Sequence, residues 1–303
     1  MARALQAPET DPTLTSHPRL TFQKFGYTYT VQTTGGESTY SVTDGQQTIT
    51  LPIRWNFGEG AHTWVFERDG AFYESLVSYY PSIDGLDITT GDQALTPHNL
   101  EEAVGRKLGK IEPRECFGCH SSGAISNDHL SLKDLQPGVN CEHCHTGANA
   151  HMVAASQGDA YYSAPPNLKK LSAEDVSNFC GQCHRTWETV VRSRRRGEAD
   201  VRFQPYRLAN SKCFDGTDPR ISCIACHDPH RDLVTDEATY DVKCLACHAT
   251  KAPQQAHADA KACPVATSNC ASCHMPKVKL PNGLMTFHDH EIRVVRPGEA
   301  YPD

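Results

Sequence analysis

Cys116-Phe-Gly-Cys119-His120 is the first of six Cys-x-x-Cys-His segments, and these segments decide how the chain is expected to fold. The other five are Cys141-Glu-His-Cys144-His145, Cys180-Gly-Gln-Cys183-His184, Cys223-Ile-Ala-Cys226-His227, Cys244-Leu-Ala-Cys247-His248 and Cys270-Ala-Ser-Cys273-His274. Two cysteines at this spacing can form thioether bonds to the two vinyl groups of one haem, while the adjacent histidine binds the iron. The sequence therefore predicts six covalently attached haem c groups with six proximal histidines.

Structural zinc is the main alternative, because paired Cys-x-x-Cys segments also build sites of thiolates and imidazoles. Zinc does not require a histidine directly after each pair. Here all six pairs have one, although only 16 of the 303 residues are histidine. This regularity favours haem over zinc.

The part of the chain that carries the motifs is poor in core-forming residues. Leu, Ile, Val and Phe make up 31 of the 188 residues from Cys116 to Asp303. A content this low, below about 20%, is typical of chains that cannot bury a core of their own. We therefore predict that this part folds around its haems.

The charge and hydropathy of the chain restrict its partners and its location. The formal net charge is −7 before any haem propionates are added, which argues against nucleic acid as a partner. No run of 18 apolar residues occurs, so no transmembrane segment is expected. Because haem c is attached outside the bacterial or archaeal cytoplasm, we expect a periplasmic or extracellular protein whose signal peptide has been removed. Its expected partners are redox proteins or extracellular electron acceptors.

Two of the 14 cysteines, Cys213 and Cys263, lie outside the motifs. In an oxidising compartment two remaining cysteines most simply pair, so a disulfide between them is predicted. Free thiols are the alternative.

The chain is predicted to have an α+β fold in three parts. Residues 1–20, rich in Pro and Thr, are expected to form an extended N-terminal arm. Residues 21–95 show alternating runs separated by Gly35-Gly36, Asp44-Gly45 and Asp69-Gly70, which are typical of tight hairpins in a small antiparallel β domain. About five strands are expected, at Phe25–Gln32, Thr39–Val42, Thr48–Trp55, Thr63–Glu67 and Ala71–Tyr79.

Residues 96–303 are predicted to form the hexahaem cytochrome domain, which should be mostly helical and loop-rich with little regular structure. Thr96, as N-cap, is expected to start a helix that ends near Leu108. Ser172 and Asp175 form a capping box, which predicts a longer helix from Ser172 to about Arg196.

Ten histidines remain outside the motif positions, and six are needed if every iron has two histidine ligands. A histidine inside or just after one motif faces away from that haem and is expected to bind a neighbouring one. Asp289, between two histidines, is expected to orient one imidazole by a hydrogen bond. The candidate distal ligands are His143, His151, His230, His290, His98, His129 and His257, whereas His17, His62 and His288 are expected to be surface or hydrogen-bonded side chains.

Several longer segments resemble multihaem cytochromes related to the hydroxylamine-linked tetrahaem cytochrome and its doubled-motif relatives. They are Cys-x-x-Cys-His-Asp-Pro-His at Cys223 to His230, Cys-His-Met-Pro at Cys273 to Pro276, Phe-x-Asp-His at Phe287 to His290 and Pro-Gly-Val-Asn-Cys-Glu-x-Cys-His at Pro137 to His145. The resemblance extends from about Cys116 to Val295. It implies that His230 and His151 are distal ligands of neighbouring haems. The haem density also resembles that of extracellular cytochromes that form filaments, which implies a homo-oligomer built as a helical filament.

These observations favour electron transfer through a closely packed chain of haems, with the protein acting as a carrier rather than a catalyst. The alternative is an oxidoreductase acting on a small nitrogen or sulfur compound, which requires an open iron position. All six motifs end in histidine, none in the lysine of pentahaem nitrite reductases, so the sequence marks no such position. Whether the chain is an enzyme stays open at this level.

Overall fold

The computed structural model describes residues 1–159, 167–194, 196–249, 262–296 and 298–302. The chain divides into two compact units, Met1–Pro166 with Asn282–Met285, and Asn167–Pro281 with Thr286–Asp303. The predicted α+β class, with antiparallel sheets followed by helices and loops, is confirmed. The units follow packing and do not coincide with the domain boundaries expected near residues 20 and 95, which stay a prediction.

The first unit contains most of the strands. They are β1 (Leu5–Gln6), β2 (Arg19–Lys24), β3 (Tyr27–Thr34), β4 (Glu37–Thr43), β5 (Thr48–Pro52), β6 (Trp55–Phe57), β7 (Thr63–Arg68), β8 (Ala71–Ser75), β9 (Val77–Tyr80), β10 (Gly85–Ile88), β11 (Gly105–Lys107), β12 (Ser121–Ser122), β13 (Ile125–Ser126), β14 (His129–Leu130) and β15 (Gln136–Pro137). Its helices are α1 (Pro12–Ser16), α2 (Leu100–Val104), α3 (Glu112–His120), α4 (Cys141–Cys144) and α5 (Ala148–Ser156), with a 3-10 turn at Pro8–Thr10.

Two sheets of this unit pack face to face. The strands β2-β3-β4-β5 form a four-stranded antiparallel sheet, and β1-β6-β7-β8-β11 form a five-stranded one. Tyr40 of the first sheet stacks on Phe66 of the second at 4.9 Å between ring centroids, beside the buried Trp64. Because side chains alternate along a strand, Val65 of β7 faces the opposite side of the five-stranded sheet. There it packs in a second cluster that includes Phe117 of α3.

Two of the three expected hairpin turns are confirmed by their backbone conformations, whereas at Asp44-Gly45 only Gly45 has a positive φ, 90°. Gly35 and Gly36 both have positive φ, at 63° and 87°, as do Asp69 and Gly70 at 51° and 71°. Two such residues in succession match the right-handed twist of the flanking strands. A further turn of this kind, at Phe25 and Gly26, connects β2 to β3 and was missed, together with β2 itself.

The prediction of about five strands was too low, because two runs each divide between sheets. The expected strand Thr48–Trp55 becomes β5 in the four-stranded sheet and β6 in the five-stranded one. The expected strand Ala71–Tyr79 becomes β8 and β9, and β9 pairs with β10 in a separate sheet. Alternation of polar and apolar residues continues across such a change of partner, so the sequence pattern does not reveal it.

Residues 1–20 do not form the extended arm that was predicted. Leu5 lies in β1 and is buried, and Leu14 of α1 is buried in the core between the two sheets. Asp11 caps α1 by accepting a hydrogen bond from the backbone N–H of Thr13 at 2.8 Å. Leu5 and Leu14 therefore dock this stretch, although its Pro and Thr content suggested an arm.

The helix predicted from Thr96 to Leu108 is much shorter. Asn99, not Thr96, caps α2 by accepting a hydrogen bond from Glu102 N–H, and the helix ends at Gly105. A Cβ atom at position 105 would lie 2.0 Å from the carbonyl oxygen of Glu74. This close approach lets the chain leave the helix and pair with β8 as strand β11.

The second unit consists of short helices and one hairpin. The helices are α6 (Ala173–His184), α7 (Trp187–Ser193), α8 (Gln204–Ala209), α9 (Cys223–Cys226), α10 (Asp241–His248) and α11 (Cys270–His274), and the hairpin strands are β16 (Lys277–Lys279) and β17 (Thr286–His288). Short 3-10 helices lie at Leu168–Lys170, Glu198–Arg202 and Glu237–Tyr240. Among the described residues, none of these helices, nor any in the first unit, is long and apolar enough to span a bilayer.

Ser172 caps α6 as expected, by accepting a hydrogen bond from Asp175 N–H. The single long helix to Arg196 was wrong, because the chain breaks at Arg185, whose φ is 66°. Thr186 then starts α7 by capping Thr189 N–H. The break folds Thr186 back against Gly181 of α6, where a Cβ atom would meet it at 2.7 Å.

Candidate functional site

The first Cys-x-x-Cys-His motif lies on α3, and the motif's own spacer residue anchors this helix to the sheet. Phe117, between the two cysteines, is fully buried. Its ring meets Trp55 and Phe57 edge to face, each at 5.1 Å between centroids, and Phe72 at 5.8 Å. Cys116 packs at the border of the same cluster. The five-stranded sheet therefore determines where the first motif lies within this unit.

Arg106 on β11 joins the sheet to the start of α3. Its guanidinium donates to Glu74 at 2.8 Å and to Glu112 at 2.7 Å, and it lies 3.6 Å from Asp92. Three carboxylates thus share one cation. Burial, together with the neighbouring charge of Glu74, raises the pKa of Asp92 to about 6, although Arg106 acts in the opposite direction.

This raised pKa predicts a pH-dependent loss of stability. The Asp92 carboxyl ionises at a pH of about 4 in the unfolded chain and about 6 in the folded protein. Between these two pH values the folded protein retains a proton that the unfolded chain has lost. Stability therefore falls as the pH rises through this window, by about 2–3 kcal/mol in all. We expect Asp92→Asn to remove this fall, measured as the difference from wild type in urea unfolding at pH 4 and 7.

The exposed Asp69→Asn is the matched control for this experiment and should leave the pH profile unchanged. Comparing each variant with wild type also cancels the titration of haem propionates. A wild-type-like pH profile in Asp92→Asn would show that Asp92 ionises normally in the folded protein.

The imidazole of His120, at the end of α3, is fixed by one ring nitrogen. Its Nδ1–H donates to the backbone carbonyl of Ala4 at 2.8 Å, and its ring lies 5.4 Å from that of Phe57. Burial lowers the pKa of His120, so the imidazole is neutral. With the proton on Nδ1, the lone pair is on Nε2, which is the nitrogen available to iron.

The spacer of the second motif also positions a neighbouring helix. Asn140 caps α4 by accepting from Glu142 N–H at 3.1 Å. The Glu142 carboxylate accepts from the backbone N–H groups of Gly147 at 2.9 Å and Asn149 at 2.6 Å, at the start of α5. The helix that carries His151 is therefore held to the motif by its own acidic spacer residue.

The third and fourth motifs meet in the second unit. The third ends α6, the fourth forms α9, and the two helices contact each other. A hydrogen bond between the thiols of Cys180 and Cys223 raises the pKa of Cys180 and lowers that of Cys223. The two cysteines therefore lie within hydrogen-bonding distance of each other.

The fifth and sixth motifs meet through Asp241, the first residue of α10. Its carboxylate accepts from the backbone N–H of Asn269 at 2.6 Å and of Cys270 at 2.8 Å, just where α11 begins. Burial raises the pKa of Cys270 to about 12, and its thiol bonds to Cys244 of the fifth motif. In this unit, therefore, one cysteine of the third motif contacts one of the fourth, and one cysteine of the fifth contacts one of the sixth.

The fourth motif's histidine, His227, lies between two rings. Its Nδ1 is 3.3 Å from the hydroxyl oxygen of Tyr240, whose own proton is donated to the carbonyl of Val234 at 2.9 Å. Nδ1 must therefore be the donor, which leaves the lone pair on Nε2. The centroid of the His290 ring is 6.2 Å from that of His227. Burial lowers the pKa of both imidazoles, that of His290 to about 4, so both are neutral.

The prediction that Asp289 orients an imidazole was wrong, because its carboxylate binds two arginines and a backbone N–H instead. Its carboxylate bonds to Arg207 at 2.8 and 3.0 Å, to Arg293 at 2.5 Å and to the backbone N–H of Glu291 at 3.0 Å. Arg207 and Asp289 are both almost fully buried. A buried carboxylate needs such partners to remain ionised, so Asp289 acts on the backbone around His290 rather than on its ring.

Three further histidines have both ring nitrogens engaged. His62 accepts a bond from the Asn56 amide at 2.6 Å on Nδ1 and faces Thr13 with Nε2. His17 and His288 each donate Nδ1–H to a backbone carbonyl, of Thr13 and Met275 respectively, while Nε2 faces Asp84 and Glu237. Both ring nitrogens of each of these three histidines are therefore engaged by protein atoms.

The other candidate distal ligands are placed in varied surroundings. His143 and His151 are partly buried on α4 and α5, His98 and His129 are exposed, and His257 lies outside the described residues. His230 is exposed, and its Nδ1 lies 3.2 Å from Asp228. The assignment of these residues to particular irons stays a prediction.

The disulfide predicted between Cys213 and Cys263 stays a prediction, because all 14 cysteines, including those of the motifs, are present as thiols. Cys213 lies near Cys244 and Cys247 of the fifth motif, and burial raises its pKa. Cys263 instead accepts hydrogen bonds from the backbone of Val265 and Ala266, which lower its pKa. The two thiols therefore have different surroundings.

The side chains present fit haem better than zinc. Four imidazoles have Nδ1 committed to an oxygen and Nε2 left with its lone pair, those of His120, His227, His274 and His290. One imidazole on each iron face, rather than a tetrahedral cluster, is what haem requires. Within the described part of the chain no group of three or more His, Cys, Asp or Glu side chains is arranged to hold a metal ion.

Helix ends that present two cysteines and an Nε2 lone pair are the haem sites of c-type cytochromes, and this is the class that the motifs and their geometry support. Residues 91–146 match the family model of cytochrome c554 and c-prime, and this segment includes the first two motifs. The match supports haem c, iron and electron transport. Searches of curated proteins and of solved structures found no significant match.

The matched segment is shorter than the resemblance from Cys116 to Val295, but it starts earlier, at residue 91. It therefore includes α2, β11 with Arg106, and α3. Sequence analysis missed the parts that position the motifs, namely Ala4, Phe117, Arg106 and Arg207. Of these residues, only Phe117, the apolar spacer of the first motif, could have been recognised as an anchor from the local sequence.

Proposed function

We propose that this chain carries electrons through six covalently attached haem c groups, outside the cytoplasm. The observation that carries the proposal is the hydrogen bonding that four of the histidines share. In His120, His227, His274 and His290, an Nδ1 bond such as that of His120 to Ala4 at 2.8 Å or of His274 to Arg293 at 2.9 Å leaves the Nε2 lone pair available to iron. Haem supplies one-electron redox chemistry when bound.

The chain's own residues would set the position and potential of each haem. Cysteines of neighbouring motifs lie side by side in the second unit, which supports closely spaced haems and short electron-transfer distances. Buried hydrogen bonds to the proximal imidazoles hold ring orientation and ligand basicity. Two histidine ligands on most irons would keep potentials low.

Intact-mass measurement of the purified protein, together with its spectra, tests this proposal. We expect the mass of the chain plus six haems, and low-spin iron throughout. The double variant Cys116→Ala/Cys119→Ala should lose one haem, whereas Cys213→Ser, outside the motifs, should keep all six. A chain without haem, or with zinc, would overturn the proposal.

The same spectra address the alternative of an oxidoreductase acting on a small nitrogen or sulfur compound. Such an enzyme needs an iron with an open position. A five-coordinate, high-spin haem in the wild-type protein would therefore favour catalysis over electron transfer.

Partners and assembly follow from the same proposal. Redox proteins or extracellular electron acceptors are the proposed partners, and the negative charge favours basic ones. Assembly into a conducting filament is the specific form that the resemblance to extracellular cytochromes implies. Negative-stain electron microscopy of the haem-loaded protein distinguishes filaments from discrete particles.

A further inference from the structure

We infer that His227 and His290 bind one iron, that of the fourth haem, from opposite faces, and that Ser211 and Arg207 are positioning residues for His290. The inference rests on the proposed haem-binding function and deepens it. It names the two axial ligands of one site and the groups that hold the second of them.

The distance between the two imidazoles is the first argument. Two imidazoles that bind one iron from opposite faces have ring centroids about 6 Å apart, because each iron–nitrogen bond is about 2 Å and each centroid lies about 1 Å behind its nitrogen. The ring centroids of His227 and His290 are 6.2 Å apart, with 39° between the ring planes.

The bonding of the ring nitrogens is the second argument. His227 donates Nδ1–H to the Tyr240 hydroxyl, and His290 donates Nδ1–H to the carbonyl of His288 at 3.0 Å. Both rings therefore have a lone pair on Nε2. In the neighbouring His288, by contrast, Nδ1 donates to the carbonyl of Met275 and Nε2 lies 3.4 Å from Glu237, so both ring nitrogens are engaged.

The backbone around His290 is held by Arg207 in α8 and by Ser211, two residues after the end of that helix. Ser211 donates its hydroxyl to the carbonyl of His290 at 3.0 Å and accepts from Ile292 N–H at 2.8 Å. Arg207 binds Asp289 through two nitrogens and also lies 2.7 Å from Glu291. Carboxylates on both sides of His290 are thus fixed to one buried guanidinium.

The hydrogen bonds of Ser211 and the ion pairs of Arg207 fix the backbone on both sides of His290, as expected for a residue that binds a metal. Removing outer hydrogen-bond partners of a metal ligand typically lowers metal affinity or activity by about 10–100-fold. A buried ion pair also contributes little net stability compared with apolar packing, so its value here lies in fixing geometry. This geometry is what an axial ligand 63 residues from its proximal partner in sequence requires.

His290→Ala tests the ligand, with His288→Ala as the matched control. We expect both variants to retain six haems by intact mass. Electron paramagnetic resonance should show one haem converted from low to high spin in His290→Ala and none in His288→Ala. Six low-spin haems in His290→Ala, or the same change in both variants, would overturn the inference. A wild-type protein without haem would instead refute the proposed function.

His290→Met is the conservative variant, for the case in which the alanine variant folds poorly. One haem should then gain the near-infrared band of His/Met iron and a higher potential. Whether the two histidines share an iron is tested with His227→Met and the double variant His227→Met/His290→Ala. A shared iron predicts one altered haem in the double variant, and two altered haems would contradict the pairing.

Ser211→Ala tests positioning without disturbing the ion pair. We expect all haems to stay low spin, but carbon monoxide should replace the distal ligand at one reduced haem about tenfold faster than in wild type. Ser211→Thr, which keeps the hydroxyl, should restore the wild-type rate. Equal rates in wild type and Ser211→Ala would show that Ser211 has only a structural role.

Discussion

The chain made without haem attachment is expected to keep its β-sheets and lose the structure of its second unit. The main core cluster of the first unit contains 15 buried residues, including Tyr40, Trp64 and Phe66. The cluster described in the second unit contains only Val190, Phe203 and Tyr206, with Val191 packed against it. Ordering a chain costs about 1–2 kcal/mol per residue for the backbone alone, which so small a cluster cannot offset.

Hydrogen exchange followed by mass spectrometry measures this difference. The protein should be produced in cells that lack cytochrome c maturation, kept reduced, and compared with the haem-loaded protein. We expect strands β3, β4 and β7 to be protected in both forms, and α6, α10 and α11 to be protected only with haem. Protection of these helices in the haem-free chain would show that the second unit has a sufficient core of its own.

Phe117→Ala is expected to destabilise the first unit strongly. The ring is fully buried among Trp55, Phe57 and Phe72, and its removal should lower the free energy of unfolding by about 3–5 kcal/mol. The loss has a functional consequence, because Phe117 is the spacer residue of the first motif. We expect α3 to exchange its amide hydrogens much faster and the first haem to have altered axial ligation.

The control for this variant is Ile111→Ala, since Ile111 directly precedes α3 but is 60% exposed. A change there should stay within about 0.5 kcal/mol. Urea unfolding, followed through the hydrogen exchange of β6 and β8 amides, measures the change in the free energy of unfolding of the first unit in each variant. Similar losses in the two variants would mean that the sheet does not anchor the motif helix through Phe117.

Local features of the sequence predicted much of the fold correctly. The turns at Gly35-Gly36 and Asp69-Gly70 and the cap at Ser172 are set by a few neighbouring residues, so they can be identified without knowledge of the fold. The features that failed depend on distant partners. The helix after Thr96 was shortened because Gly105 pairs with β8, and the segment 1–20 docks through Leu14 in a core that lies elsewhere in the sequence.

The sequence by itself determined the chemistry of this protein, because the spacing of two cysteines and a histidine within five residues defines a haem attachment site. The tertiary structure alone decided how those sites are held and which histidines face each other. Ala4 and His120 are 116 residues apart, Arg207 and Asp289 are 82 apart, and His227 meets His290 across a similar interval. Such contacts arise from packing of the whole unit, and no local pattern of residues specifies them.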